Sequence, residues 1–161
     1  MDEITHLLDT LGMARLIPHA AALAFAYGLA LPIGWDRERE ERSAGLRTFP
    51  LVALASCGFV QATESLIGTS PEAQARIIEG LITGIGFIGG GAIIKHGGAV
   101  QGTATAAGLW ATGAIGAAVG LGSYDVAVVI TGFTIFTFWG LSPLKQQQQP
   151  GDDLGPPAGP R

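Results

Sequence analysis

A chain of 161 residues with 48% hydrophobic and only 14% charged side chains has room for one domain, and carries too little charge for an ordinary soluble one, where about a quarter of residues are charged. A formal net charge of -4 supplies no broad basic field and argues against nucleic-acid binding, and the single cysteine, Cys57, excludes an internal disulfide. The charge is also clustered, with Arg37, Arg39, Arg42 and Arg47 close together and long apolar stretches elsewhere, which is the pattern of a membrane protein.

The opening MDEITHLLDTLGMAR is acidic and long, unlike the short positive start of a secretory signal, so the apolar stretch from about Leu16 to Trp35 reads as a retained membrane helix. After it comes GWDREREERSAGLRTFPLV, Gly34 to Val52, in which acids and bases alternate. Spacing predicts a solvated helical hairpin with ion pairs about one turn apart, Asp36 with Arg39 or Glu38 with Arg42. Arg47 stands just before the next apolar run, where a guanidinium can reach a lipid phosphate or grip a carboxylate with both nitrogens. An anchoring role is the simpler expectation.

The second span runs from about Phe49 to Ile67 and the third from about Ile77 to Ile94. Glu64 and Glu79 fall near their outer ends and Arg76 lies one turn before Glu79, so Arg76 is a candidate partner for either acid, with plain solvation an equal expectation. Within the third span, Gly84-Ile85-Gly86-Phe87-Ile88-Gly89 fits the dinucleotide-binding spacing. The setting is wrong for it: about 20 residues on lies TATAAGLW, with no carboxylate to hold a ribose, and Lys95 lacks the preceding glycine and following hydroxyl of a phosphate loop. Small residues let membrane helices approach closely. Each interior glycine still costs about 1 kcal/mol of helix propensity, so the run predicts either backbone packing on two sides, which is preferred, or a broken helix lining an ion or substrate site.

The fourth span, TATAAGLWATGAIGAAVGL from Thr103, carries Ala104, Gly108, Thr112, Gly116 and Gly120 at intervals of four, a thin helical face expected to meet the glycines of the third. The fifth, about Tyr124 to Leu141, is the most lipid-like. Trp35 and Trp139 sit at span ends, as interfacial tryptophans do, whereas Trp110 lies mid-span and is expected in the core. From Lys145 the chain becomes KQQQQPGDDLGPPAGPR, expected to be a disordered cytoplasmic tail. The organisation expected is therefore a membrane domain over residues 1–144 and a tail over 145–161.

Counting cations on alternate sides of five spans places Arg37, Arg39, Arg42, Arg47, Lys95, Lys145 and Arg161 on one side and only Arg15 and Arg76 on the other. The richer side is expected to be cytoplasmic, with the N-terminus periplasmic and the C-terminus inside. The fold class expected is all-α, a polytopic membrane helix bundle of about five transmembrane helices. His6, His19 and His96 lack partners at transition-metal spacing, and no convergent acid, base or nucleophile is visible. The chain is accordingly expected not to be an enzyme and to need no cofactor; whether it holds any metal is left open.

The order of motifs carries more than any one of them. Gly34-Trp35-Asp36-Arg37-Glu38, Ala44-Gly45-Leu46-Arg47-Thr48, Leu51-Val52, Arg76, Gly84-Ile85-Gly86-Phe87-Ile88-Gly89, Gly102, Thr105-Ala106-Ala107, Trp110 and Gly116 follow one another as they do in the MgtC/SapB family of bacterial inner-membrane proteins, which the chain resembles from Gly34 to Gly116. It departs in having Asp36 where the family usually has Glu. Phe49 stands in place of the usual His, which removes a titratable donor, and Thr103-Ala104-Thr105 moves one hydroxyl. Many members continue into a soluble C-terminal domain; here the Gln- and Pro-rich tail follows, so no regulation through such a domain is carried over. The resemblance implies a role in adaptation to low magnesium or acid stress and, in pathogens, survival inside host cells, with the F-type ATP synthase a suggested partner.

Two readings follow. The first is an inner-membrane regulator acting by helix packing with itself, as a homo-oligomer, or with a membrane-protein partner, its candidate surface drawn from Asp36, Arg37, Glu38, Arg47, Thr48, Arg76, Glu79, Gly84, Gly86, Gly89, Thr105 and Trp110. The second is a magnesium or proton transporter or channel in which a broken third helix, with Thr83, Thr105 and Glu79, forms the cation path.

Overall fold

A computed structural model describes residues 15–40, 44–67, 70–96 and 99–141. They form α1 (Leu16–Arg39), α2 (Thr48–Ile67), α3 (Pro71–Gly91), a hairpin of β1 (Ile94–His96) and β2 (Ala99–Gln101), α4 (Thr103–Gly120) and α5 (Tyr124–Gly140). The all-α expectation holds. The expected tail lies outside the described residues.

Local chemistry sets the element ends. α3 begins at Ser70, whose hydroxyl accepts from the Ala73 amide at 3.4 Å, with Pro71 at its first turn and Glu72 against the positive helix end, a combination that satisfies free amides and favours the dipole. The helix therefore starts six residues before the expected span. It stops at Gly91, where the Ala92 and Ile93 amides turn back to the Gly89 and Gly90 carbonyls at 3.1 Å, and Ile94, expected in the span, pairs with Gln101 in the antiparallel hairpin instead. α3 is continuous through Gly84, Gly86, Gly89 and Gly90. The broken helix is not formed, because each of these glycines keeps helical backbone geometry.

Gly102 connects the hairpin to α4 with φ 87°, and a Cβ there would overlap the Ala92 carbonyl oxygen. Both constraints exclude a side chain. Gly102→Ala is expected to lose about 2 kcal/mol or more, read as a fall in unfolding free energy of the purified chain; an unchanged value would mean that the turn relaxes without cost.

α4 is the central helix and touches all four others. Its thin face fits, but the neighbour differs from the expected one. A Cβ on Gly116 would overlap the Ala53 carbonyl oxygen and lie 2.8 Å from its carbon, and one on Gly120 would lie 2.7 Å from Val60, so this face meets α2. α3 packs on α4 through other positions: the Ile85 side chain fills the space beside Gly113, and a Cβ on Gly89 would lie 3.4 Å from the Ala106 carbonyl oxygen. Gly80, Gly84, Gly86 and Gly90 have nothing within 4 Å of an added Cβ. Spacing shows that a helix face is thin; which neighbour uses it depends on how the helices cross.

The interior is rich in small side chains, with Ile33, Phe49, Leu109 and Ile115 among the few large ones fully buried, and many large apolar side chains face outward. Ala22, Ala26, Ala30 and Gly34 form the buried face of α1, and Ala53, Ala118 and Ala127 are buried beside them. Phe87 and Phe133 are 85% and 69% exposed, and Phe136 and Trp139 also face outward. Trp110, expected in the core, is half exposed at 50%, because the glycine and alanine faces of α4 take the inner positions. Helical threonines turn their hydroxyls onto carbonyls of their own helix, Thr112 to Gly108 at 2.8 Å, Thr131 to Ala127 at 2.9 Å and Thr137 to Phe133 at 2.7 Å. No hydroxyl among these needs a solvent partner.

Candidate functional site

The candidate residues converge best where α1 ends and α2 and α4 begin. α1 continues past its apolar part as far as Arg39, which carries Arg37 onto the buried face one turn beyond Ile33 and Gly34. Arg37 is only 3% exposed. Its Nε donates to Asp36 Oδ2 at 2.9 Å and its Nη2 bonds the same oxygen, Glu40 Oε2 lies 3.8 Å away, and the guanidinium carbon sits 3.9 Å from the centroid of Phe138 in the last turn of α5. Two carboxylates and an aromatic face thus receive one buried cation, which is how such a charge is tolerated away from water.

Next to it, the loop folds onto the helix. Glu38 Oε2 accepts the Leu46 amide at 3.0 Å, and Gly45 leaves the space that this carboxylate occupies. Gly34 permits the approach from the other side, since a Cβ there would lie 3.1 Å from Leu46 Cα and 3.2 Å from the Gly45 carbonyl oxygen. Of the expected ion pairs one turn apart, Asp36 with Arg39 is not formed among the described residues, while Arg37 has Glu40 three positions on. Asp36 pairs with its neighbour Arg37, and Glu38 binds backbone; Arg42 lies outside the described residues.

A cavity of about 330 Å³ opens above Arg37 and Glu40, and Thr103, Thr105 and Thr137 contribute to its wall. Thr105 is buried and joins the Arg37 cluster at this cavity. Phe49, standing where the family has His, is fully buried, with its ring against the open side of Gly108. A second and larger space, about 720 Å³, is a groove between α2 and α3 with Arg47 and Thr48 at one end and Gly80 and Gly84 in its α3 wall.

The remaining candidates do not join either feature. Arg76, Glu79 and Glu64 are exposed, and no ion pair links them among the described residues; of the two equal expectations, solvation at the helix surface is the one found. Gly86 faces open space. Trp110 borders a separate cleft on the α4 side of α3, with Ile82 and Ile130. Thr83 is exposed and donates to the Glu79 carbonyl at 2.9 Å, whereas Thr105 is buried at the Arg37 cavity. Among the described residues no group of three or more His, Cys, Asp or Glu side chains is placed to hold a metal ion.

Phe138 and Glu40 were not singled out from the sequence. Glu40 was legible as part of the charged loop. Phe138 lies in an apolar run whose only visible signal is lipid compatibility.

Residues 23–147 match the profile of the MgtC family. The chain is 41% identical over 127 residues to the protein named MgtC of Brucella abortus (strain 2308), covering 79% of this chain and 52% of that protein. It is 39% identical over 116 residues to the protein named MgtC of Salmonella typhimurium (strain LT2), covering 72% of this chain and 49% of that one. The chain therefore spans about half the length of the curated relatives it matches. No solved structure matches it.

Proposed function

The chain belongs to the MgtC family, and from that premise we propose that it is a five-helix inner-membrane protein that modulates membrane physiology under low magnesium or acid stress by helix contacts with a partner or a second copy. The observation that carries the membrane part is the outer surface, where Phe59, Phe87, Phe133, Phe136, Trp35 and Trp139 are all exposed around an interior rich in alanine and glycine. In water such a surface is a large exposed apolar patch; in lipid it is the expected one. By length and composition alone, Leu16–Arg39 is the described helix that qualifies to cross a membrane, and Tyr124–Gly140 is a shorter apolar helix. All five helices, at 17 to 24 residues, fall within the range of about 17 to 25 residues for spanning segments. In this topology the Arg37 cluster lies at the cytoplasmic end and the N-terminus is periplasmic.

A regulator is favoured over a transporter because the groups nominated for a cation path do not converge. α3 is unbroken, and Thr83 spends its hydroxyl on its own helix while Thr105 faces the Arg37 cavity. The F-type ATP synthase is the partner to try first. Proteoliposomes containing the purified chain are expected to show no magnesium or proton flux above empty vesicles, while the tagged chain retains its partner in a detergent pull-down. Flux that disappears on Gly84→Leu would overturn the regulator reading.

A further inference from the structure

The groove between α2 and α3 has a composition unlike the other spaces in the bundle. Its wall is mostly apolar, with Ser56 and Thr63 the polar residues along it, and Arg47 is the one charged residue lining it among the described residues. Thr63, toward the far end, already donates to the Phe59 and Val60 carbonyls at 3.0 and 2.9 Å. Arg47 is exposed and has no ion-pair partner among the described residues, while Thr48 offers a hydroxyl at the same mouth. A site with a cation at one end and a long apolar wall complements an amphiphile with an anion at one end and a hydrocarbon tail.

Dimensions select the tail. From Arg47 to Phe59 the helix rises roughly 18 Å, close to the roughly 15 Å of one hydrocarbon leaflet. The floor is deep because Gly80 and Gly84 leave open space where side chains would stand.

We infer that this groove holds one anionic glycerophospholipid, its phosphate at Arg47 and Thr48 and an acyl chain along the Gly80 and Gly84 wall. The inference rests on the membrane reading above and deepens it. It also gives the glycines of α3 a use that packing against α4 does not supply, since a Cβ at Gly80 or Gly84 would meet nothing within 4 Å.

The test is native mass spectrometry of the detergent-purified full chain mixed with equal amounts of phosphatidylglycerol and phosphatidylcholine. One phosphatidylglycerol is expected to be retained in preference to phosphatidylcholine. Arg47→Gln should weaken that preference at least fivefold, and Gly84→Leu should abolish retention by filling the groove. Gly132→Leu, at an open position on α5, should leave it unchanged, and inorganic phosphate should not displace the lipid. Equal retention of both lipids by the unmodified chain, or undiminished retention by Gly84→Leu, would overturn the inference. So would a dimer that Gly84→Leu dissociates and phosphatidylglycerol does not. Carbonate extraction of cell membranes separates the two levels: a chain that stays in the membrane but retains no lipid defeats the groove alone, whereas a chain released by carbonate defeats the membrane reading and the groove with it.

Discussion

Gly116→Leu is expected to leave no folded bundle, and even Gly116→Ala to lose about 2 to 3 kcal/mol, at the upper end of ordinary overpacking. A Cβ at this position meets backbone on the facing helix, overlapping the Ala53 carbonyl oxygen and standing 2.9 Å from Ala53 Cα. Rotamer changes cannot relieve a clash with main chain, so α2 and α4 must separate. That separation also loosens Gly120 against Val60 and Gly108 against Phe49, and close contact along this face is what holds helices together when lipid competes for apolar surface. Unfolding of the purified chain in detergent, followed by circular dichroism, would measure the loss. Gly132→Ala serves as the opposite control, since open space surrounds that position and alanine gains about 1 kcal/mol of helix propensity over glycine. Should Gly116→Ala prove as stable as the unmodified chain, the α2 and α4 interface described here is wrong.

Arg37→Met should cost about 3 kcal/mol. Removing one member of a buried ion pair strands the other, for which roughly 3 to 5 kcal/mol is usual. The Asp36 side chain keeps 14% exposure, which moves the expectation to the lower end of that range. Two losses combine here, the uncompensated carboxylate and the attraction between the guanidinium and the Phe138 ring. They separate in a double variant: Asp36→Asn with Arg37→Met removes the stranded charge and is expected to recover more than half of the stability lost by Arg37→Met alone. Arg37→Lys should not rescue fully, because an ammonium lacks the planar fork that places both Nε and Nη2 on one carboxylate oxygen. Equal stability of the single and double variants would show that Asp36 is well solvated once Arg37 is gone.

The helices were largely legible in the sequence, since continuous apolar runs mark them strongly. α2 and α5 begin and end within a residue of their expected positions. The differences arise where a helix extends into polar sequence. α1 runs on to Arg39 and α3 starts at Pro71, because hydrogen bonding continues after lipid compatibility stops. The start of α3 was readable from Ser70-Pro71-Glu72 as a capping signal, but a search for apolar runs passes over it. The short hairpin was missed because two three-residue strands leave almost no periodicity to detect.

For the site, Asp36, Arg37, Glu38 and Thr105 were nominated by the family resemblance, and the structure brings them to one end of the bundle. Their pairings were not legible. Helical spacing favours partners three or four positions apart, and Arg37 does reach Glu40 three positions on, but its closer partner is its own neighbour Asp36. The α4 face at intervals of four was readable as thin, but whether α2 or α3 would lie on it is a matter of crossing geometry. Phe138 could not have been found by spacing at all, since its relation to Arg37 exists only once α5 packs against α1.

That last contact bears on how the protein is made. Arg37 belongs to the first described helix and Phe138 to the final turn of the last described one, so the aromatic face over this cation is supplied only after about a hundred further residues have been made. A nascent chain that has released α1 to α4 has Asp36 and Glu40 beside Arg37 but nothing to shield the cation's other side. Its charged end is incompletely enclosed until α5 inserts. Premature termination before Phe138 would thus leave a membrane intermediate with a poorly covered guanidinium, the kind of defect that membrane quality control can read and a finished molecule does not show.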